Sequence, residues 1–176
     1  MTLSDLANIA EILGGIAVVA SLVYLAVQIR QNTSTVRNST LQSNTALWTS
    51  VFCNLAEPSI AEAYAAGLSG KADIKPLHYT QFFLLCRGMF VAFENQYYQF
   101  CQGTLDRETY EGYERTISSQ ILVFPGFRIW WKQCRDVFSP VFVEHIDAMI
   151  SDVPEGSADM LISEWQSIAR DKASTA

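Results

Sequence analysis

The chain has 176 residues, of which 49% are hydrophobic and 12% aromatic, and its formal net charge at pH 7 is −6. This composition can fill a hydrophobic core, so wholesale disorder is excluded. An acidic chain without a basic stripe lacks the phosphate contacts that supply most of the affinity for nucleic acid, which excludes nucleic acid as a partner.

The first element in the chain is an apolar helix. Residues 12–27 carry no charge, and extension to Ile9 and Ile29 gives a segment about 31 Å long with Glu11 as its only charged residue. We predict a transmembrane anchor over residues 1–30, which continues into a cytoplasmic domain over residues 31–176. A buried helix of a soluble bundle and a cleaved signal peptide are the alternatives. The signal peptide fits less well because no Lys or Arg precedes the apolar run.

The charges beside this segment predict its orientation. Arg30 and Arg37 follow the span, and no Lys or Arg precedes it. Because positively charged flanks stay in the cytoplasm, we expect the N-terminus outside and the C-terminal domain inside.

Small residues recur on one face of the span, at alternating steps of three and four residues. Small side chains let helix backbones approach closely in lipid. The same phase continues through polar residues from Gln28 to Gln42, which are able to form hydrogen bonds between copies. We predict a helix-association seam that consists of Ala7, Ala10, Gly14, Ala17, Ser21 and Gln28, and homo-oligomerisation through it. The alternative is that Gly and Ala are simply common in membrane helices.

Proline and glycine positions predict the remaining elements as helices. Neither residue type occurs between Ile16 and Glu57, so the first helix is expected to continue to about Leu55. Further helices are predicted to start at four prolines: Pro58, Pro76, Pro125 and Pro140. The helix from Pro76 to Gln102 has one apolar face, formed by Tyr79, Phe82, Cys86, Met89, Phe93, Tyr97 and Phe100. Aromatic and aliphatic residues from Tyr110 to Ile121 mark another helix, and Leu161, Trp165 and Ile168 mark the last. We predict an all-α protein whose cytoplasmic bundle has about five to six helices.

No motif in the sequence indicates an enzyme. The four cysteines form no CxxC pair, and we expect reduced, buried thiols; two disulfides are the alternative. The two histidines, His78 and His145, lack the spacing of metal ligands. Phosphate-binding loops and the nucleophile elbow are also absent. The sequence therefore predicts no catalytic residue, no metal site and no cofactor.

Two groups of charged residues are candidate sites. Arg87 and Glu94 lie seven residues apart, at the edge of an apolar helical face, and we predict a buried ion pair between them, or between each and a neighbouring helix. A membrane-surface patch is predicted from Arg128, Trp131, Lys132 and Arg135, because aromatic residues beside cations suit the headgroup layer. The alternative is that the Trp residues are core and the cations are a solvated edge.

Two segments resemble an uncharacterised group of small bacterial membrane-anchored proteins. One comprises residues 14–19 and 21–33, and the other comprises residues 125–131 and 138–142. The resemblance implies a bacterial inner-membrane location. It carries no activity and no site residues.

These observations favour a membrane-anchored interaction or scaffold protein that self-associates through its first helix. The expected partners are the lipid bilayer and either a second copy or another membrane protein. An oligomeric pore or transporter accessory subunit is one alternative, favoured by the polar residues from Gln28 to Gln42. An enzyme with an unrecognised site is the other, and a pocket containing Glu94 or His145 would support it.

Overall fold

The computed structural model describes residues 3–174, which form seven α-helices and contain no strand. The helices are α1 (Leu3–Leu55), α2 (Pro58–Leu68), α3 (Pro76–Cys101), α4 (Arg107–Ile117), α5 (Pro125–Cys134), α6 (Pro140–Asp152) and α7 (Ala158–Ser174). A π-helical turn, Ser118–Leu122, follows α4, and a 3-10 turn, Arg135–Val137, follows α5. The predicted all-α class is therefore confirmed.

Two compact units divide the chain. Unit 1 is Met1–Gln42 and unit 2 is Ser43–Ala176, whereas the sequence analysis placed its boundary after Arg30. The difference arises because residues 31–39 are exposed and belong to α1, and Asn44 is the first buried side chain among those that the structure describes. Helix α1 is unbroken to Leu55, as the absence of Pro and Gly predicts.

Proline begins four of the helices. Pro58, Pro76, Pro125 and Pro140 each occupy the first turn, where a missing N–H removes no helical hydrogen bond. Helix α4 begins differently: the carboxylate of Asp106 accepts a hydrogen bond from the Thr109 N–H at 2.9 Å. The predicted helix starts at prolines are confirmed.

The core of unit 2 is unusually aromatic and is built around α3. The apolar face predicted for this helix is buried at Phe82, Cys86, Met89 and Phe93. Helices α4, α5 and α6 cover it with further large side chains, which include Tyr110, Phe127, Trp130, Trp131, Phe142 and Ile146. Phe90 also lies in this core at 0% exposure, although the predicted face does not include it.

The part of α1 that belongs to unit 2 contributes two buried side chains. Trp48 joins the core, and Asn44 donates from Nδ2 to Oε1 of Gln99 on α3 at 2.9 Å. This hydrogen bond satisfies a polar group that would otherwise be buried without a partner.

Two glycines let neighbouring helices approach α2 closely: Gly126 of α5 lies against its backbone, and Gly67 of α2 lies against α3. A Cβ atom on Gly126 would lie 1.8 Å from the carbonyl oxygen of Gly67. A Cβ atom on Gly67 would lie 2.1 Å from the ring of Phe82. The chain after α2 then turns through Gly70, whose φ of +63° is costly for residues with a side chain.

Helix α7 is confirmed as the last helix, but its described side chains are exposed. Ile162, Trp165 and Ile168 are 59%, 76% and 61% exposed. The side chain of Leu161, which the sequence analysis placed with them, lies outside the described residues.

Candidate functional site

The predicted seam lies in unit 1. Its described side chains are all exposed: Gly14, Ala17, Ser21 and Gln28. A Cβ atom on Gly14 would meet no atom within 4 Å outside the helix's own backbone, so the face has room for a close neighbour. The side chains of Ala7 and Ala10 lie outside the described residues.

Polar side chains along this helix form hydrogen bonds within the helix. The hydroxyl of Ser21 donates to the carbonyl oxygen of Ala17 at 2.8 Å, and Nε2 of Gln28 donates to the hydroxyl of Tyr24 at 2.6 Å. Thr33 and Thr35 likewise donate to carbonyl oxygens four residues earlier. Such internal bonds lower the cost of placing polar groups in an apolar environment.

The predicted membrane-surface patch on α5 is corrected by the structure. Trp131 is 1% exposed, so its ring belongs to the core and does not reach a surface. Its indole nitrogen donates to Oδ1 of Asp147 at 2.8 Å, and Oδ2 of the same carboxylate pairs with Arg135 at 2.5 Å. Of the patch residues, Lys132 alone is exposed, and it forms no hydrogen bond or ion pair with the residues that the structure describes.

Arg128, the remaining residue of that patch, connects the ends of two helical segments. Its guanidinium donates to the carbonyl oxygen of Leu122, at the end of the π-helical turn, and to that of Val153, directly after α6. Carbonyls at helix C-termini lack helical partners and carry partial negative charge, so a cation there is stabilising. Arg128 and Arg135 therefore form contacts within unit 2, whereas Lys132 is exposed.

The predicted ion pair between Arg87 and Glu94 is replaced by two contacts with Phe138 and Ser139, which directly precede α6. The guanidinium of Arg87 lies 4.6 Å from the ring centroid of Phe138. The carboxylate of Glu94 accepts a hydrogen bond from the Ser139 N–H at 2.7 Å. Because Ser139 precedes α6, the Glu94 charge sits at the positive end of that helix dipole. The Ser139 side chain forms no cap hydrogen bond.

A cluster around His145 was not predicted from the sequence. Its Nε2 lies 2.7 Å from the hydroxyl of Tyr110 and 3.4 Å from Oε1 of Glu114, both on α4. The imidazole stacks on Tyr97 of α3, with ring centroids 4.5 Å apart. Three helices thus meet at one titratable side chain. Glu144 and Asp147, the acids nearest to it in sequence, are not its hydrogen-bond partners in this cluster.

Burial controls the ionisation of this cluster. Desolvation lowers the pKa of His145 below its usual 6.5, and the nearby Glu114 carboxylate opposes this effect. Desolvation and then Glu114 raise the pKa of the Tyr110 hydroxyl. A neutral imidazole beside a protonated phenol is the resulting state at neutral pH, and it suits the hydrogen bond between Tyr110 and the half-buried His145.

The lowered pKa predicts a loss of stability in acid. The unfolded chain binds the His145 proton more readily than the folded chain, so stability is complete above about pH 6.5 and falls as the pH decreases below that value. We expect the thermal midpoint to fall between about pH 7.5 and about pH 5.5, and His145→Gln to reduce that fall.

His78→Gln is the matched control, because it removes the other histidine and leaves the cluster intact. This control should retain the pH dependence of the native chain. Equal pH dependence in the His145→Gln and native proteins would show that the cluster does not titrate in this range.

Two of the four cysteines are buried and two are exposed. Cys86 and Cys134 are buried, and burial raises the pKa of both thiols, that of Cys134 to about 11, which makes them poor nucleophiles. Cys53 and Cys101 are exposed, so the expectation that all four thiols are buried is wrong for these two. All four are free thiols.

Within residues 3–174, no group of three or more His, Cys, Asp or Glu side chains is arranged to hold a metal ion. Among the described residues, one helical segment, Glu11–Leu55 of α1, is long and apolar enough to cross a membrane. None of its most apolar stretch is buried. A signal sequence, or the core helix of a soluble protein, is also consistent with such length and composition. Comparison with protein-family models, curated proteins and solved structures finds no match to this chain.

Proposed function

We propose that this chain is a membrane-anchored helical interaction protein that crosses the bilayer once and self-associates through its first helix. The observation that carries the proposal is the exposure of the apolar stretch of α1. Its large hydrophobic side chains from Ile12 to Ile29 are 47–66% exposed. A helix that is apolar around its whole circumference is stable when lipid or other protein covers it.

The seam supports self-association in the same segment. Gly14, Ala17 and Ser21 share one stripe, and helices without a hydrophobic driving force between them associate through small residues that permit close backbone contact. The internally bonded hydroxyl of Ser21 can remain in the apolar layer. The partners we propose are the bilayer and a second copy of the chain. Another membrane protein with a similar stripe of small residues could pack against the seam in place of the second copy.

The location we propose is a bacterial inner membrane, with unit 2 in the cytoplasm. Arg30 and Arg37, directly after the apolar stretch, favour this orientation, and the resemblance described above favours the bacterial setting. In this proposal unit 2 acts by contact with other molecules, and no reaction is assigned to it.

Mass measurement of the full-length protein in mild detergent tests both parts of this proposal. We expect the native chain to require detergent for extraction from membranes and to form a defined oligomer. Gly14→Leu combined with Ala17→Leu should reduce it to a monomer, because the larger side chains hold the backbones apart.

Gly15→Leu combined with Ala26→Leu is the matched control. It makes the same two chemical changes on other faces of the helix, about 100° and 180° around the axis from Gly14 and Ala17. This variant should remain oligomeric. A protein that is soluble without detergent contradicts the membrane anchor, whereas an oligomer that survives the seam substitutions contradicts only self-association through this stripe. Conductance of the native oligomer in reconstituted membranes would identify a pore instead of a scaffold.

A further inference from the structure

Helix α3 carries a stripe of residues that the fold of unit 2 leaves uncovered. Large side chains recur in it every seven residues, and all four are exposed: Leu77 at 67%, Leu84 at 63%, Val91 at 47% and Tyr98 at 62%. At steps of four and three residues between and after them lie Gln81, Gly88, Asn95 and Gln102, of which Gln81 is half-buried and the others are exposed. These eight residues form the α3 stripe. Their spacing is that of a heptad repeat, which keeps one face of a helix in contact with a partner helix.

The chain's own residues occupy both flanks of the α3 stripe. On one flank, Arg87 and Glu94 are engaged by the segment that directly precedes α6. On the other flank, Oε1 of Gln99 accepts the hydrogen bond from Asn44 of α1. The stripe between these flanks contains no charged residue, although the net charge of the chain is −6. An uncharged, partly apolar face of this length is unusual for a helix surface that only water covers.

The composition of the α3 stripe suits an identical stripe on a second copy of the chain. Two identical charged faces would repel each other, whereas two uncharged faces do not. In a parallel pair of α3 helices in register, each large apolar side chain packs against its own equivalent. The amides of Gln81, Asn95 and Gln102 also meet identical amides, and each amide supplies both a donor and an acceptor. A wholly apolar partner would leave these amides buried without hydrogen bonds, which is costly.

The α3 stripe alone is too small for a stable dimer of free chains. Helix α3 has 26 residues. A helix of that size is about 39 Å long, and a pair of them with contact strips about 10 Å wide buries about 800 Å² in total. Stable interfaces between separate proteins bury about 1,200–2,000 Å². Copies that are already joined need less area, because the second contact then forms at an effective concentration on the order of millimolar.

We propose that the α3 stripe is a second self-association surface, through which two copies of this chain pair in parallel and in register. Layers of Leu84 and of Val91 form the centre of the contact, and the amide layer of Asn95 fixes the register, as a single Asn does in parallel coiled coils. This inference rests on the proposed function, since self-association through α1 holds the two copies together while the stripes pair.

Disulfide trapping of the full-length protein in mild detergent tests the pairing. Replacing Cys53 and Cys101 by serine removes the exposed thiols, and the two remaining cysteines are buried. In this background, Leu84→Cys should form a linked dimer on mild oxidation, because linked cysteines need Cα atoms only about 4.4–6.8 Å apart. Ser151→Cys, at an exposed position of α6 outside the stripe, is the matched control. We expect trapping through Leu84→Cys to be about tenfold faster than in the control, or more.

Val91→Glu, added to Leu84→Cys, places two carboxylates opposite each other in the next apolar layer. It should reduce the trapping rate to that of the Ser151→Cys control, because like charges in a contact repel. The mass of the oligomer should stay the same, since the seam of α1 is intact. Val91 is 47% exposed, so unit 2 should still fold, and near-ultraviolet circular dichroism of tryptophan checks this.

The outcomes separate this inference from the proposed function. Equal trapping rates for Leu84→Cys and Ser151→Cys in a protein that is oligomeric by mass overturn the pairing of α3 and leave self-association through α1 intact. Equal rates in a protein that is monomeric by mass overturn both. Fast trapping that Val91→Glu does not slow overturns the pairing in register.

Discussion

Replacement of Phe90 by alanine is expected to lower the free energy of unfolding of unit 2 by about 3–5 kcal/mol, the usual cost of removing a fully buried aromatic ring. Phe90 is 0% exposed. Its ring lies 4.9 Å from that of Trp130 and 5.4 Å from that of Trp131, and it also contacts Phe138. These neighbours are themselves held by several helices, so they cannot collapse into the space that the ring would leave.

Near-ultraviolet circular dichroism of tryptophan during heating measures this effect in the full-length protein. All four Trp residues lie in unit 2, so the signal reports its packing independently of the anchor. We expect a decrease in the thermal midpoint of about 10 °C or more. Val91→Ala, at the adjacent and 47% exposed position, is the control and should change it little. Similar midpoints for the two variants would mean that α3 does not present Phe90 to the core.

Gly126→Ala is expected to destabilise unit 2 by about 3 kcal/mol or more, at or above the upper end of the range for overpacked cores. The added Cβ would lie 1.8 Å from the carbonyl oxygen of Gly67 and 3.1 Å from the carbonyl carbon of Leu68. Because these obstacles are backbone atoms, no change of rotamer relieves the clash. Helices α2 and α5 must separate, and the contact of Phe127 with Tyr64 and Phe82 would loosen with them.

Gly88→Ala makes the same chemical change where there is space. Gly88 lies on the exposed side of α3, and a Cβ there would meet no atom within 4 Å outside the helix's own backbone. This control should stabilise the helix by about 0.5–1 kcal/mol, since alanine has the higher helix propensity. The thermal midpoint of both variants is measured by near-ultraviolet circular dichroism of tryptophan during heating. Two alanine variants with equal midpoints would contradict the close approach of α2 and α5.

The helix boundaries were accessible from the sequence because they depend on local chemistry. A proline at the first turn, as at Pro58 and Pro140, restricts φ and removes an N–H whatever lies around it. The continuation of α1 to Leu55 follows in the same way from the absence of Pro and Gly between Ile16 and Glu57. One boundary was missed. The helix expected to extend to Ile121 ends at Ile117, and the following residues, Ser118–Leu122, form a π-helical turn.

Periodicity predicted one face of α3 and missed a second. The stripe through Phe82, Cys86 and Phe93 is buried as expected. Phe90 and Gln96 lie outside that stripe and are nevertheless 0% exposed. A single stripe describes a helix that is covered on one side, whereas α3 is covered by several helices, and how many neighbours a helix has is not written in its own periodicity.

For the charged residues, spacing along the sequence predicted the wrong partners. Arg87 and Glu94 were paired because they share a stripe of one helix, and Trp131 was grouped with cations because they share a segment. In the folded chain each of them finds a partner far away in sequence: Phe138, Ser139 and Asp147 respectively. Contact between residues distant in sequence depends on helix packing, which spacing along one helix does not report.

What the sequence by itself determined is therefore local: the all-α class, the apolar first helix and the positions at which most helices begin. Only the tertiary structure decided which side chains meet, as when Tyr110, Glu114 and His145 converge from two helices and Tyr97 stacks on them from a third. The physical reason is that backbone conformation follows short-range steric and hydrogen-bonding preferences. The partners of a buried polar group instead follow from the packing of whole helices, which is set by all of their apolar surfaces together.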